Sequence, residues 1–300
     1  MELEYHPELR DFTLRRPQLK LLEDVPLPDR VADNWEMVKN FQAKPDDLLI
    51  ATYPKSGTTW TQGIVDLMNQ NGDVKMCKRA PVYERIPFLE FFQEMLPSGI
   101  ELIVKMASPR VIKTHFPIQL VPKYFWEQDT IVVARNAKDT LVSYFHFHRM
   151  NHRLPEPGYW PEFFQTFLHG QVSWGSWYDH VKGWWEEKDK HRILFLFYED
   201  IKENPRREIL KVAEFMENVL EEDVIEKIVH LSSFKVMKDN PMANYGTLPM
   251  GIMDQNISRF MRKGEVGDWK NHFTVSQNED FDEHYERQMG HSSLKFRNVL

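Results

Sequence analysis

The sequence predicts an α/β fold in which helices flank a central, mainly parallel sheet. Short apolar runs alternate with longer amphipathic stretches along the 300 residues, which is the order that a parallel sheet with helical crossovers requires. In addition, residues 53–60 join a predicted buried strand to a helix through a P-loop-like segment. A chain of this length can bury one large core, so we expect a single domain over residues 1–300.

Four apolar runs predict the strands, because each is rich in Val, Ile, Leu or Phe without clean polar alternation, as strands buried on both faces are. They cover residues 47–53, 110–115, 130–135 and 193–198. Helices are predicted at residues 58–69, 138–150, 205–216, 222–231 and 279–288. One more helix is indicated by apolar residues spaced along a single face: Trp174, Trp177, Val181, Trp184 and Trp185. We interpret this stripe as core-facing rather than as an aromatic ligand cage.

Two segments lack periodicity and are predicted to be long loops. Residues 71–109 contain four prolines among aromatic residues, and we expect them to form a lid or a pocket wall. Residues 239–267 are rich in Pro, Gly, Asn and Met, and we expect them to cross the fold. Loops of this length are usually functional or mobile.

Charge and composition exclude several classes of protein. The formal charge is −7, from 38 basic and 45 acidic residues, which argues against a general nucleic-acid binder, so any anionic ligand must meet a local cationic pocket. Residues 1–30 lack the apolar run of a signal peptide, and no later run reaches membrane-spanning length. The single cysteine, Cys77, cannot form an intramolecular disulfide. We therefore expect a cytoplasmic protein without a membrane partner.

The most informative motif is Tyr53-Pro54-Lys55-Ser56-Gly57-Thr58-Thr59-Trp60. Backbone N–H groups in the first turn of a helix are unpaired and lie at the positive end of the helix dipole, so this junction can hold an anion. Gly57 allows close approach of the backbone, Lys55 adds a charge, and the hydroxyl groups add donors. An ordinary helix N-cap is the alternative.

A magnesium-dependent ATP enzyme is the weaker candidate for this loop. Lys55 precedes Gly57, whereas the nucleotide-kinase loop has its lysine after a glycine-rich stretch. The third predicted strand leads into Arg135 rather than into a magnesium-binding aspartate. An ATP-dependent small-molecule or nucleotide kinase therefore remains an alternative reading.

The octapeptide resembles the donor-binding loop of the cytosolic sulfotransferases, and further segments match that family in the same order along nearly the whole chain. Together with Tyr198-Glu199-Asp200, the chain looks like the phenol-type (aryl) branch. The other matching segments are Lys113-Thr114-His115, Arg135-Asn136-Ala137-Lys138-Asp139 continuing to Ser143-Tyr144, and Phe260-Met261-Arg262-Lys263-Gly264 leading into Gly267-Asp268-Trp269.

The resemblance implies that the donor is 3′-phosphoadenosine 5′-phosphosulfate (PAPS), whose two anionic ends need separate cationic sites. By resemblance, residues 55–59 hold the 5′-phosphosulfate. A guanidinium fork suits the 3′-phosphate, and the alternative for Arg135 is a surface ion pair with Asp139. The implied donor-binding residues are Lys55, Ser56, Gly57, Thr58, Thr59, Trp60, Arg135, Ser143, Tyr198, Ser232, Phe234, Phe260, Met261, Arg262, Lys263 and Gly264, with Trp60, Tyr198 and Phe234 at the adenine.

The implied catalytic residues are His115, Lys113 and Lys55. A neutral imidazole can take the proton of an acceptor hydroxyl, and Lys113, two residues earlier on the same strand face, can neutralise the transferring group. Lys55 would steady the leaving oxygen, so no metal is required. A buried structural histidine is the alternative for His115. Zinc binding by His146, His148 and His152 is disfavoured because no acidic or cysteine ligand lies nearby in sequence.

The acceptor pocket implied by the resemblance is apolar and aromatic, which favours flat phenols such as phenolic xenobiotics, hormones or catechols. Asn151 is neutral, so a cationic amine acceptor has no counter-charge there. The substrate-binding residues are Phe88, Phe91, Lys113, His115, Phe147, Tyr245 and Met253.

Near the C-terminus, a short motif matches the one that the family uses for dimerisation, so we expect a homodimer. Its residues are Lys270, Thr274, Val275 and Glu279. Two further readings remain beside the kinase. A binding protein for hydrophobic hormones would need no base, and a Golgi sulfotransferase for sugars would need a membrane anchor.

Overall fold

The computed structural model describes residues 15–93 and 96–300. In chain order its strands are β1 (Leu19–Leu22), β2 (Val25–Pro28), β3 (Leu48–Thr52), β4 (Val111–Thr114), β5 (Asp129–Ala134) and β6 (Ile193–Phe197). Its helices are α1 (Asp29–Asp33), α2 (Trp35–Lys39), α3 (Thr58–Asn69), α4 (Val74–Cys77), α5 (Val82–Arg85), α6 (Gly99–Val104), α7 (Ala137–Met150), α8 (Trp160–Leu168), α9 (Trp177–Glu187), α10 (Tyr198–Glu203), α11 (Pro205–Phe215), α12 (Glu222–Leu231), α13 (Phe234–Met237) and α14 (Val275–Met289). Short 3₁₀ segments lie at Ile118–Leu120, Lys123–Glu127 and Asp268–Asn271.

The central sheet has four parallel strands in the order β4–β3–β5–β6. This confirms the predicted α/β fold with a parallel sheet, and each strand lies within its predicted range to within one residue. Parallel pairing aligns the carboxyl ends of the strands at one edge. The residues that directly follow these ends are Tyr53, His115, Arg135 and Tyr198, so the sheet brings four predicted motifs together.

Each face of the sheet carries its own hydrophobic core, because successive side chains of a strand point to opposite faces. Leu49 and Ala51 of β3 pack on one face with residues of α8 and α9. Leu48 and Ile50 pack on the other face with residues of α3, α11 and α12. All five residues of β3 are buried, which explains why its sequence shows no polar alternation.

The apolar stripe is confirmed as core but only partly as a helix. Trp177, Val181 and Trp184 are buried on α9. Trp174 lies before the helix with φ +65°, in the left-handed region, and Trp185 is only partly buried. The buried apolar stripe therefore begins before α9, in a turn at Trp174, which the residue spacing does not reveal.

Several elements differ from the prediction. The antiparallel hairpin of β1 and β2 was not predicted, because its strands are four residues long and contain two prolines. Helix α8 was also missed. Helix α14 begins four residues earlier than predicted because Thr274 caps it, accepting a hydrogen bond from Gln277 N.

The two predicted loops behave differently. Residues 239–267 contain no helix or strand, as predicted. Residues 71–109 carry α4, α5 and α6, so a structureless loop is the wrong description there. Asp73 and Ser98 cap two of these short helices with their side chains. Within the part of the chain that is described, no helix has both the length and the apolar character to cross a bilayer.

Candidate active site at the carboxyl edge of the sheet

A cavity of about 380 Å³ opens at the carboxyl edge of the sheet. Every site residue predicted from the sequence lines it, except Ser56, which is fully buried. The donor-side residues on its wall are Lys55, Gly57, Thr58, Thr59, Trp60, Arg135, Ser143, Tyr198, Ser232, Phe234, Phe260, Met261, Arg262, Lys263 and Gly264, and the acceptor-side residues are Phe88, Phe91, Lys113, His115, Phe147, Tyr245 and Met253. Segments far apart in the chain therefore share one space.

The loop between β3 and α3 has the backbone of an anion cradle. Lys55 and Gly57 both adopt positive φ, +70° and +108°, which turns the chain sharply before the first turn of α3. A Cβ on Gly57 would lie 3.0 Å from Tyr198 Cδ2, so glycine is required by both conformation and space. Ser56 Oγ and Trp60 Nε1 are buried without hydrogen-bond partners, so two polar groups of this loop are unsatisfied in the structure.

His115 is held in one tautomer. Its Nδ1 lies 2.8 Å from the carbonyl oxygen of Thr52, which can only accept, so Nδ1 carries the proton and Nε2 keeps a free lone pair. Burial, followed by the charge of Lys113, lowers the pKa of His115 well below 6.5. The imidazole is therefore neutral at pH 7 and can act as a base.

A second contact links His115 to the anion loop. Thr52 Oγ1 lies 3.3 Å from His115 Nδ1 and 2.6 Å from Thr58 Oγ1, the first residue of α3. His115 and the start of α3 are thus fixed by the same threonine at the end of β3. Their relative position depends on a rigid element rather than on a loop.

Several cations line this cavity, and four of them, Lys55, Lys113, Arg135 and Arg262, lie close enough to repel one another. Lys113 Nζ lies 3.3 Å from Tyr245 Oη and 4.6 Å from the centroid of the Phe88 ring. Burial, and then the charges of the other three cations, lower the pKa of Lys55 to about 7. Such mutual repulsion favours the binding of an anion, which would raise that pKa again.

The far end of the cavity is built by the loop before the 3₁₀ segment Asp268–Asn271. Arg135 Nη2 donates to Glu265 O at 2.8 Å, and its Nε is buried without a partner. Asp139 does not pair with Arg135; its carboxylate accepts from Gly267 N at 2.8 Å and Trp269 N at 3.0 Å. The alternative of an Arg135–Asp139 ion pair is therefore wrong.

Asp268 holds the neighbouring cations. Arg262 Nη2 lies 2.7 Å and Lys263 Nζ 2.6 Å from its carboxylate oxygens. Although burial acts to raise it, hydrogen bonds from Lys263, Asn271 and Arg262 keep the pKa of Asp268 well below its usual range. Arg262 still has a buried Nε without a partner. The segment that carries Arg262 and Lys263 is thus fixed, and the Nε of Arg262 remains available as a hydrogen-bond donor.

Aromatic rings line the donor half. Trp60 and Tyr198 meet edge to face with ring centroids 5.3 Å apart. Gly264 has φ +66°, and a Cβ there would lie 2.2 Å from Phe234 Cδ2, so only glycine lets this loop pass over the Phe234 ring. A flat base can stack in such surroundings.

Glu90 is a site residue that sequence reasoning missed. Its fully buried carboxylate accepts from His115 N at 2.6 Å, Thr114 Oγ1 at 3.0–3.1 Å and Trp174 Nε1 at 3.2 Å. Burial raises the pKa of Glu90 to about 7 in spite of these bonds. One feature of the sequence could have identified Glu90: it is an acidic residue between apolar neighbours in the irregular stretch 71–109. Glu90 positions the strand end that carries His115.

The predicted acceptor half is closed by aromatic side chains, of which Phe147 lies on α7 and Phe88, Tyr245 and Phe260 lie on loops. Tyr245 and Phe260 lie with ring centroids 4.3 Å apart, and Phe260 meets Phe147 at 5.8 Å. Phe88 packs against the His115 ring with centroids 4.9 Å apart. Arg153, which the sequence reasoning did not select, also lines this cavity.

The three histidines on and after α7 do not converge. His148 Nδ1 contacts Pro155 O at 3.0 Å, and His152 Nδ1 contacts Gly251 O at 3.1 Å. Among residues 15–93 and 96–300, no group of three or more His, Cys, Asp or Glu side chains is placed to hold a metal ion.

The comparisons with known proteins agree with this geometry. The family model "Sulfotransferase domain" matches residues 45–293. Human sulfotransferase 1C2 is 57% identical over 281 residues, which are 93% of this chain and 95% of the relative. Rat sulfotransferase 1A1 is 51% identical over 94% of this chain and 98% of the relative. The crystal structure of mouse sulfotransferase SULT7A1 complexed with PAP has a TM-score of 0.74 at 30% identity, covering 92% of this chain and 96% of that one.

The resemblance to the cytosolic sulfotransferases is thereby confirmed, together with the enzyme class. The predicted donor agrees with the PAP that is bound to the mouse enzyme. Because the family model spans most of the chain and relatives above 50% identity cover nearly all of it, this chain belongs to the sulfotransferase family.

Proposed function

We propose that this chain transfers a sulfuryl group from PAPS to the hydroxyl of small phenolic acceptors, with His115 as the general base. The observation that carries the proposal is the fixed tautomer of His115, a neutral buried base in the same cavity as four cations. A hormone-binding protein would need aromatic walls but neither of these features. The relatives named sulfotransferase 1C2 and 1A1 support the enzyme class.

The residues fit the donor. Buried donors without partners stand at both ends of the donor half: Ser56 Oγ and Trp60 Nε1 on one side, and the Nε atoms of Arg135 and Arg262 on the other. We infer that the loop at residues 55–59 holds the 5′-phosphosulfate. Arg135, Ser143 and residues 262–264 then hold the 3′-phosphate, which ATP lacks. Trp60, Tyr198 and Phe234 enclose the adenine.

The mechanism follows from the residues around the base. When bound, PAPS supplies the sulfuryl group. His115 Nε2 accepts the proton of the acceptor hydroxyl while Nδ1–H stays bonded to Thr52 O, so the ring keeps its orientation as it becomes charged. The Lys113 ammonium stabilises negative charge that develops beside the base. Lys55, whose pKa an anion would raise, stabilises the leaving oxygen.

Replacement of His115 tests this assignment. In His115→Ala, PAP should bind within about threefold of wild type, while turnover of a simple phenol with PAPS should fall at least about a hundredfold. Isothermal titration gives the affinity and single-turnover assays give the rate. If turnover persisted within tenfold of wild type, His115 would not be the base.

The kinase alternative is tested in the same titration. Wild type should bind PAP more tightly than ADP, and magnesium should not reverse that order, because Arg135 and the 262–264 segment recognise the 3′-phosphate. Tighter binding of ADP with magnesium would favour a kinase. The cytoplasmic location and the homodimer stay predictions.

A further inference from the structure

The acceptor half of the cavity contains a cation that has no part in the proposed chemistry. Arg153 follows α7, and its backbone is fixed on both sides. Its N–H lies 3.1 Å from Asn151 Oδ1, and the preceding His152 N–H donates to Ile252 O at 3.0 Å. The side chain lines the cavity with its guanidinium carbon 4.8 Å from the centroid of the Phe91 ring. Arg153 is thus a positioned part of the pocket wall.

Arg153 lacks the partners that other arginines of the site have. Arg135 donates to Glu265 O and Arg262 pairs with Asp268. In the described part of the chain, no carboxylate forms an ion pair with Arg153, and its buried Nε has no hydrogen-bond partner. The ring of Phe91 compensates only part of the desolvation of this partly buried guanidinium, so the pocket gains by admitting an anion.

The ionisable groups around Arg153 do not neutralise it. Burial lowers its pKa to about 10, and Tyr245 and Tyr83 act weakly in the opposite direction. The guanidinium therefore remains charged at neutral pH. Glu90, a carboxylate that also lines the cavity, is occupied by hydrogen bonds from the strand end and Trp174.

A chain of contacts places Arg153 on the acceptor side. Tyr245 Oη lies 3.3 Å from Lys113 Nζ, and Lys113 lies over the Phe88 ring, which packs on His115. Arg153 lies over the ring of Phe91, which belongs to the same predicted acceptor wall. The base and the unpaired cation therefore border the same acceptor space.

We propose that Arg153 determines acceptor specificity by binding an anionic substituent, above all a carboxylate, on the phenol that is sulfated. This inference rests on the proposed function and names its acceptor class. A carboxylate matches the donors of a guanidinium fork and satisfies the buried Nε. A neutral phenol leaves Arg153 unpaired, and a protonated amine meets two like charges, Arg153 and Lys113.

The test compares matched acceptors. The probes are ω-(4-hydroxyphenyl)alkanoic acids with one to three methylene groups, each paired with its own primary amide, which keeps the shape and removes the charge. For wild type, kcat/KM should favour at least one acid over its amide. In Arg153→Gln, the acid-to-amide ratio for that chain length should fall at least about tenfold, because a charge-assisted bond is lost.

Arg149→Gln is the matched control. Arg149 lies four residues earlier at the end of α7 with an exposed side chain, so the variant removes the same charge from outside the cavity. Its acid-to-amide ratio should stay within twofold of wild type. PAP affinity near that of wild type shows that Arg153→Gln is folded. The substitution breaks no ion pair among the described residues, so we expect the fold to persist.

Two outcomes separate this inference from the proposed function. An acid-to-amide ratio that is equal in wild type and Arg153→Gln, with phenols still turned over, overturns the role of Arg153 alone. Calorimetric binding of each acid and amide to the PAP-loaded protein does not depend on turnover. If no phenol were sulfated and each acid bound the PAP-loaded protein as tightly as its amide, the proposed function and the role of Arg153 would both be overturned.

Discussion

At the scale of single residues, Glu90 shows how a buried carboxyl group can serve a site by fixing the backbone that carries another side chain. It accepts hydrogen bonds from the His115 backbone, Thr114 and Trp174, and so fixes the end of β4. Burial nevertheless raises its pKa to about 7. A charged Glu90 is therefore maintained at a cost in stability that depends on pH.

This cost predicts a pH dependence for Glu90→Gln. Because the folded-state pKa lies above the unfolded value of about 4.5, the contribution of Glu90 to stability is fully present below about pH 4.5 and is lost as pH rises through about 7. Relative to Glu90→Gln, wild type should lose up to about 3 kcal/mol between pH 5 and pH 8. Urea unfolding of both proteins across this range measures the difference, and a constant difference would contradict the prediction.

At the scale of elements, α7 and the loop at residues 239–267 form one unit. The side chain of Asn136 caps α7, and Asp139 in its first turn accepts from the backbone of Gly267 and Trp269. These bonds place Arg262 beside Arg135 although 126 positions separate them in sequence. The long loop is thus held by one carboxylate of a neighbouring helix.

Asp139→Asn should therefore weaken the donor site without emptying space in the core. The amide puts a donor against backbone N–H groups, so we expect PAP affinity to fall about tenfold and residues 254–267 to be cleaved faster in limited proteolysis. Asp254→Asn is the control, because the Asp254 carboxylate accepts from Asn256 N within the same loop, whereas its bond to α7 is made by the backbone N–H, which the substitution keeps. Equal PAP affinity in the two variants would show that Asp139 does not position the loop.

At the scale of the whole molecule, both hydrophobic cores share the strands of one sheet, and we propose that the chain forms a single domain on that basis. The predicted dimer motif lies on the surface near the start of α14. Lys270, Thr274 and Glu279 are exposed, and Val275 is 78% exposed. An apolar side chain left so exposed at a helix start is available to a second copy.

The predicted dimer is tested by Val275→Glu. Wild type should sediment at twice the chain mass of 35.9 kDa, and the variant should sediment as a monomer with unchanged activity per chain. A glutamate in the first turn suits the helix dipole, so α14 should remain intact. Val219→Glu, at a 94% exposed valine outside the motif, should stay dimeric. A monomeric wild type would refute the prediction.

The sequence by itself determined the parallel sheet and the strand-to-helix loop at Lys55, because buried strands and anion loops depend on local residue types. It also supplied the resemblance through which His115, Arg135 and Arg262 were selected. Glu90 and Arg153 were missed because neither belongs to a local motif. Their roles depend on which distant groups are, or are not, their partners.

Only the tertiary structure decided that the strand ends meet at one edge and that Thr52 fixes the proton of His115. It also decided that Asp139 turns away from Arg135 and that Arg153 lines the cavity with no carboxylate of residues 15–93 or 96–300 as its ion-pair partner. Hydrogen-bond partnership and burial arise from long-range packing, and they set the tautomers and charges on which the proposed chemistry depends.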